Sequence, residues 1–117
     1  MNVWFKSLVA IAAATLPTIA NAAALEVVSA PMADGVTIEQ MRAVDAPVWK
    51  AVAAMPGFIS RETGVSAQRE WFVIVHWKTL EDAEDAATAL NVTPEAAAMM
   101  SALHADQIFF RHYIVQE

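Results

Sequence analysis

The 117-residue sequence predicts one small α+β domain with the element order β-α-β-β-α-β. Three observations predict it. Trp71-Phe72-Val73-Ile74-Val75-His76-Trp77 is β-branched and aromatic throughout, the signature of a strand apolar on both faces. Ile38, Met41, Val44, Val48, Val52 and Met55 recur at spacings of three and four, an apolar stripe of helical period. Turn signals at Ala30-Pro31, Asp34-Gly35 and Met55-Pro56-Gly57 then cut the rest of the chain into strand-sized pieces.

The domain is preceded by an expected secretory signal over residues 1–22, leaving residues 23–117 as the mature chain. Met1 to Lys6 is short and carries one positive charge; Leu8 to Ala20 is apolar except for Thr15, Pro17 and Thr18. Ala20-Asn21-Ala22 is the small-residue cleavage pattern, which Ala22 and Ala24 repeat two residues later. An apolar run of about 13 residues is short of the roughly 20 that span a bilayer, so an uncleaved anchor is the weaker alternative. A periplasmic or secreted location is expected, with no stable membrane insertion after cleavage.

In the mature chain Leu25 to Ala30 reads as the first strand. Thr37 is placed to cap the first helix, and Pro47 either kinks that helix or starts a second one capped by Asp45. Phe58 to Val65 is the second strand, closed by a turn around Gly64 to Gln68; Arg69 to Lys78 is the third. Trp71, Val73, Val75 and Trp77 point one way and Phe72, Ile74 and His76 the other. Helices cover one face, and a partner subunit is the economical cover for the second. Thr79 caps a helix whose start is crowded by Glu81, Asp82, Glu84 and Asp85, and Thr93 caps another with Pro94 in its first position. Asp106 to Gln116 closes the order, with Ile108, Phe110, His112 and Ile114 on one face. This is the split βαβ, or ferredoxin-like, pattern.

Removing residues 1–22 takes away Lys6 and no acid, leaving six basic against thirteen acidic residues, a charge of −7. Such a field does not attract nucleic acid or anionic lipid. The absence of cysteine excludes disulfides, thiolate metal sites and cysteine nucleophiles. The three histidines form no short-spaced ligand pair, so no metal site is expected.

The run Met55-Pro56-Gly57-Phe58-Ile59-Ser60-Arg61-Glu62, then Trp71 to Lys78, then Leu80-Glu81-Asp82-Ala83-Glu84-Asp85-Ala86-Ala87 resembles the antibiotic-biosynthesis-monooxygenase-like group of dimeric α+β barrels. The resemblance implies a homodimer of ferredoxin-like subunits packed sheet against sheet. It also implies a cofactor-independent oxygenase acting on a small phenol or quinol, or a barrel that only binds a small hydrophobic ligand or serves a structural role. The haem-degrading members carry a Trp on the second helix, about where Ala86 falls, and an Asn on the first strand. Neither is present, so haem degradation is not carried over.

His76 and His112 are the candidate catalytic bases, since histidine titrates near neutrality. Each has a competing reading as a packed, neutral histidine, and they share a cavity only if their sheet faces coincide. Trp49, Phe58, Trp71, Trp77, Phe110 and Tyr113 are candidate substrate-binding aromatics, with plain core packing as the alternative. Arg111 beside Tyr113 is a candidate for orienting an anionic ligand, and His104 reads as a helix-end or surface residue.

Overall fold

The computed structural model describes residues 19–116. Residues 1–18, most of the expected signal, lie outside the described residues. The elements are β1 (Ala24–Pro31), α1 (Ile38–Ala53), β2 (Phe58–Val65), β3 (Glu70–Trp77), α2 (Leu80–Leu90), α3 (Pro94–Ser101), a 3-10 turn (Ala105–Gln107) and β4 (Phe109–Ile114). The four strands form one antiparallel sheet in the order β2-β3-β1-β4. That is the ferredoxin-like topology, and the α+β expectation holds.

Each helix starts where its cap residue directs. The Thr37 hydroxyl accepts from the Gln40 N–H while the Gln40 side chain accepts from the Thr37 N–H, a reciprocal pair that satisfies two donors at the start of α1. Thr79 and Thr93 accept from the N–H groups of Asp82 and Ala96 in the same manner. Of the two ways to accommodate Pro47, the structure rules out a second helix capped by Asp45. α1 is one element with Pro47 inside it and Asp45 turned inward.

The core lies between the sheet and the helices. Val73, Val75 and Trp77 of β3 and Ala24, Val28 and Ala30 of β1 face Met41, Val48 and Val52 of α1. Their burial is the main driving force for the fold, each full-sized aliphatic side chain contributing about 1.5–3 kcal/mol. The opposite face carries Phe72, Ile74 and His76 of β3, Leu25 and Val27 of β1, and Phe109 and Tyr113 of β4. No helix among the described residues covers it; Phe72 and Tyr113 are 41% and 45% exposed.

Two local expectations change, and β2 carries an irregularity. The β2–β3 turn is Ser66 to Arg69, with Arg69 itself at φ 66° and its guanidinium donating to the carbonyls of Ala33 and Val36; Gly64 sits inside β2. β4 starts at Phe109 because residues 105–107 wind into the 3-10 turn. A bulge at Ile59 shifts the β2 register between Phe58 and Ser60. Gly57, at φ 82°, makes the α1–β2 connection, and a Cβ there would collide with the Asp82 side chain.

Among the described residues no helix is long and apolar enough to cross a membrane.

Candidate functional site

One row of paired residues crosses the helix-covered face of the sheet. Arg61 on β2 pairs with Val75 on β3, Val75 with Glu26 on β1, and Glu26 with His112 on β4. Strands lie about 4.8 Å apart, so Arg61 and Glu26 stand about 10 Å apart at the backbone with Val75 between them. The Ile59 bulge turns Arg61 to this side: without the extra residue, the alternation from Phe58 would face Arg61 the other way.

Both ends of the row are tied. Arg61 donates to the two carboxylate oxygens of Asp45 at 2.8 and 2.7 Å, with side chains 2% and 6% exposed. The Trp49 ring lies over the guanidinium, 5.1 Å from its centroid. At the other end His112 Nε2 lies 2.9 Å from Glu26 Oε1, and Phe110 meets the imidazole edge-on at 5.2 Å between ring centroids. Burial pushes the Glu26 carboxyl above its ordinary 4.5; the hydrogen bond to His112, the His112 charge and Arg61 pull against that without cancelling it.

Above this row lies a cavity of about 410 Å³ between the sheet and α1, α2 and α3. Its walls are mainly aliphatic, with Val28, Val73 and Val75 from the sheet, Val48 from α1, Leu90 from α2 and Met100 from α3. Glu26, Arg61 and Asn91 supply its polar atoms. That volume is toward the lower end of small-molecule sites, and an apolar pocket with few polar groups and a perturbed carboxyl is the usual form of one. Chemically the site offers a carboxylate–imidazole pair able to take a proton, and a guanidinium donor on the far side of Val75.

The structure divides the candidates read from sequence. Phe110 lines the cavity, and His112 adjoins it through Glu26. Trp49 reaches it only by way of Arg61. Phe58, Trp71 and Trp77 belong to or pack on the core; Phe58 meets Trp77 edge-on at 6.0 Å, and none of the three lines the cavity. The indole N–H groups of Trp71 and Trp77 have no hydrogen-bond partner among the described residues. His76 and Tyr113 lie on the open face, so His76 and His112 are on opposite sides of the sheet and do not converge. The parity of pairing decides this: His112 is opposite Glu26, whereas His76 is opposite Leu25. Arg111 is also on the open face, over the Phe109 ring at 4.9 Å, and so is not available to a ligand in the cavity. His104 makes a surface contact with Asp34 at 3.1 Å.

Sequence reasoning missed Glu26, Asp45 and Arg61. A signal for the first existed: Glu26 is the one charged residue in a strand that is apolar apart from it and Ser29, and a carboxylate is buried there only with a partner.

No protein-family model matches the chain, and no curated protein matches it in sequence. Solved structures match it in shape. SnoaB, a cofactor-independent oxygenase from Streptomyces nogalater, superposes in a mutant form with a TM-score of 0.69 at 13% identity, over 81% of this chain and 94% of that one. The monooxygenase ActVA-Orf6 of Streptomyces coelicolor, solved with nanaomycin D, gives 0.61 at 15% identity over 83% and 90%. A dimeric ferredoxin-like protein from Thermobifida fusca gives 0.55 at 17% identity over 81% and 92%. The chain therefore shares the ferredoxin-like α+β fold of these proteins, the fold that the resemblance over Met55 to Ala87 implied.

Proposed function

We propose that this protein is an exported, homodimeric, cofactor-independent monooxygenase that oxidises a small phenol or quinol in the cavity between sheet and helices. The observation that carries the proposal is the Glu26–His112 pair: a buried carboxyl with a raised pKa, 2.9 Å from an imidazole, at the wall of a mainly apolar cavity. The fold shared with two oxygenases supports the same reading.

The chemistry needs no external reductant. The pair takes the proton of a phenol hydroxyl, and the phenolate supplies electrons to O2. One oxygen atom enters the ring as a quinone carbonyl; the other leaves as water with the ring hydrogen and the hydroxyl proton. The phenol thereby gives up the four electrons that O2 requires. A quinol likewise gives up four, taking one oxygen atom into the ring to become a hydroxyquinone while the other leaves as water. The apolar walls hold the ring, and His112 shares the proton that Glu26 receives.

The open sheet face supports the dimer, since Phe72, Ile74, Leu25, Val27 and Phe109 form an apolar surface that a second copy would cover. The Thermobifida neighbour is itself dimeric. Export rests on the expected signal, with cleavage after Ala22. Ala23 gives its carbonyl to the Val115 N–H, and Ala24 is a buried residue of β1, so a cut after Ala24 would remove both from the fold. N-terminal sequencing of the exported protein should begin at Ala23; intact Met1 in that fraction would refute cleavage.

An oxygen electrode with a panel of naphthols and hydroquinones tests the activity. Uptake above buffer should appear with the wild-type protein and fall by about 10²–10⁴-fold in His112→Gln. Uptake that stays at the buffer rate with every compound would sink the oxygenase reading; binding without uptake would leave a ligand-binding barrel.

A further inference from the structure

The ionisable groups around the cavity constrain the charge of what it holds. Only Glu26 and Arg61 among its lining residues are ionisable, and each has a partner of its own. Arg61 is bound at both terminal nitrogens to Asp45, and the two side chains are almost wholly buried together. Its positive charge is matched inside the protein before any ligand arrives. To hold an incoming carboxylate, Arg61 would have to leave Asp45 as an unpaired buried charge.

At the other end, an imidazole nitrogen 2.9 Å from a carboxylate oxygen implies a proton between them. The Glu26–His112 pair then totals zero or minus one, according to whether a second proton is present. Added to the neutral Arg61–Asp45 pair, the four groups sum to zero or minus one. Among the described residues the cavity has no spare positive charge, and its other walls are aliphatic, aromatic or the amide of Asn91.

We propose that the cavity selects an uncharged ring bearing a hydroxyl and refuses ring compounds that carry a carboxylate. This rests on reading the cavity as the substrate site. A neutral hydroxyl donates to Glu26 and introduces no charge. A carboxylate loses its hydration, finds aliphatic walls, and is repelled by Glu26 whenever that pair is negative.

Three probes of one ring system separate charge from size: 2-naphthol, 6-hydroxy-2-naphthoate, and the methyl ester of the latter. Binding is measured anaerobically at neutral pH by calorimetry on the mature protein. The naphthol and the ester should bind, and the free acid should bind about tenfold or more weaker than the ester. In Glu26→Gln the gap between acid and ester should narrow, because one source of repulsion is gone. An acid that binds as well as its ester overturns the proposal. So does an ester that fails alongside the acid, since size would then be the filter, and so does binding of none of the three. Because no oxygen is present, selective binding with no later turnover would defeat the oxygenase reading and leave the charge filter standing. Turnover of the acid in preference to the ester would do the reverse.

Discussion

Replacing Arg61 by methionine isolates the buried ion pair on which one wall of the cavity depends. Asp45 is 4% exposed, and the hydrogen bonds of its carboxylate run to the two Arg61 nitrogens. Methionine keeps most of the aliphatic stem of arginine, so packing against α1 and Trp49 changes little. What changes is that Asp45 is left charged, desolvated and alone. Breaking a buried pair in this way costs about 3–5 kcal/mol. In a domain of about 100 residues each kcal/mol moves Tm by about 4–8 °C, so a fall on the order of 15–30 °C is expected. Thermal unfolding followed by circular dichroism, at one fixed protein concentration, reads the fall in Tm, and urea unfolding reads the loss of free energy. The double variant Arg61→Met with Asp45→Leu removes the stranded charge and should recover most of the loss, to within about 1–2 kcal/mol of wild type. If the single variant is unfolded outright, the double variant still decides the matter. A single variant within about 1 kcal/mol of wild type, or a double variant no better than the single, would show that the pair is not buried as described.

The other predictions concern the remaining parts of the molecule. The folded Glu26 carboxyl is raised above 4.5, so the folded state holds this proton more tightly than the unfolded state. Its contribution to stability is present below 4.5 and lost as pH rises through the folded value; Glu26→Gln should show no such decline across that window in urea midpoints. Gly57→Ala puts a side chain at φ 82° against Asp82 and should destabilise by about 1–2 kcal/mol from the backbone alone. Adding Asp82→Ala removes the carboxyl but leaves the residue-82 Cβ in the way, so it should recover only part of the loss in the same unfolding assay. Ile74→Glu on the open face should yield a monomer by analytical ultracentrifugation, and a dimer of unchanged affinity would move the interface elsewhere. Ala87→Phe should fill the cavity and abolish naphthol binding while circular dichroism stays that of wild type.

Much of the fold was legible because local signals agreed with it. Thr37, Thr79 and Thr93 are strong caps at the positions the helices use, and the β3 run is too β-branched and aromatic to be anything but a central strand. The site was legible only in part. His112 and Phe110 were singled out, but which face they share is fixed by pairing parity between β1 and β4, and a strand's own sequence does not contain its partner's register. On β1 Leu25 and Val27 face outward while Glu26 turns in with Ala24, Val28 and Ala30, so the strand's largest apolar side chain is not on its core face. The bulge at Ile59 hid Arg61 by inverting the alternation of β2. Asp45 falls four residues after Met41 and three before Val48, on the buried stripe of α1, yet beside Pro47 it resembled a cap.

The most direct test of the central claim is to supply ¹⁸O2 with 2-naphthol to wild-type protein and to Glu26→Gln, both verified as folded, and to weigh the product. Wild type should form a quinone retaining one labelled oxygen atom, with the second in water, and the variant should form it at least about 10²-fold more slowly. An unlabelled product, or label entering equally fast in Glu26→Gln, would contradict the claim that this buried carboxylate–imidazole pair starts the reaction.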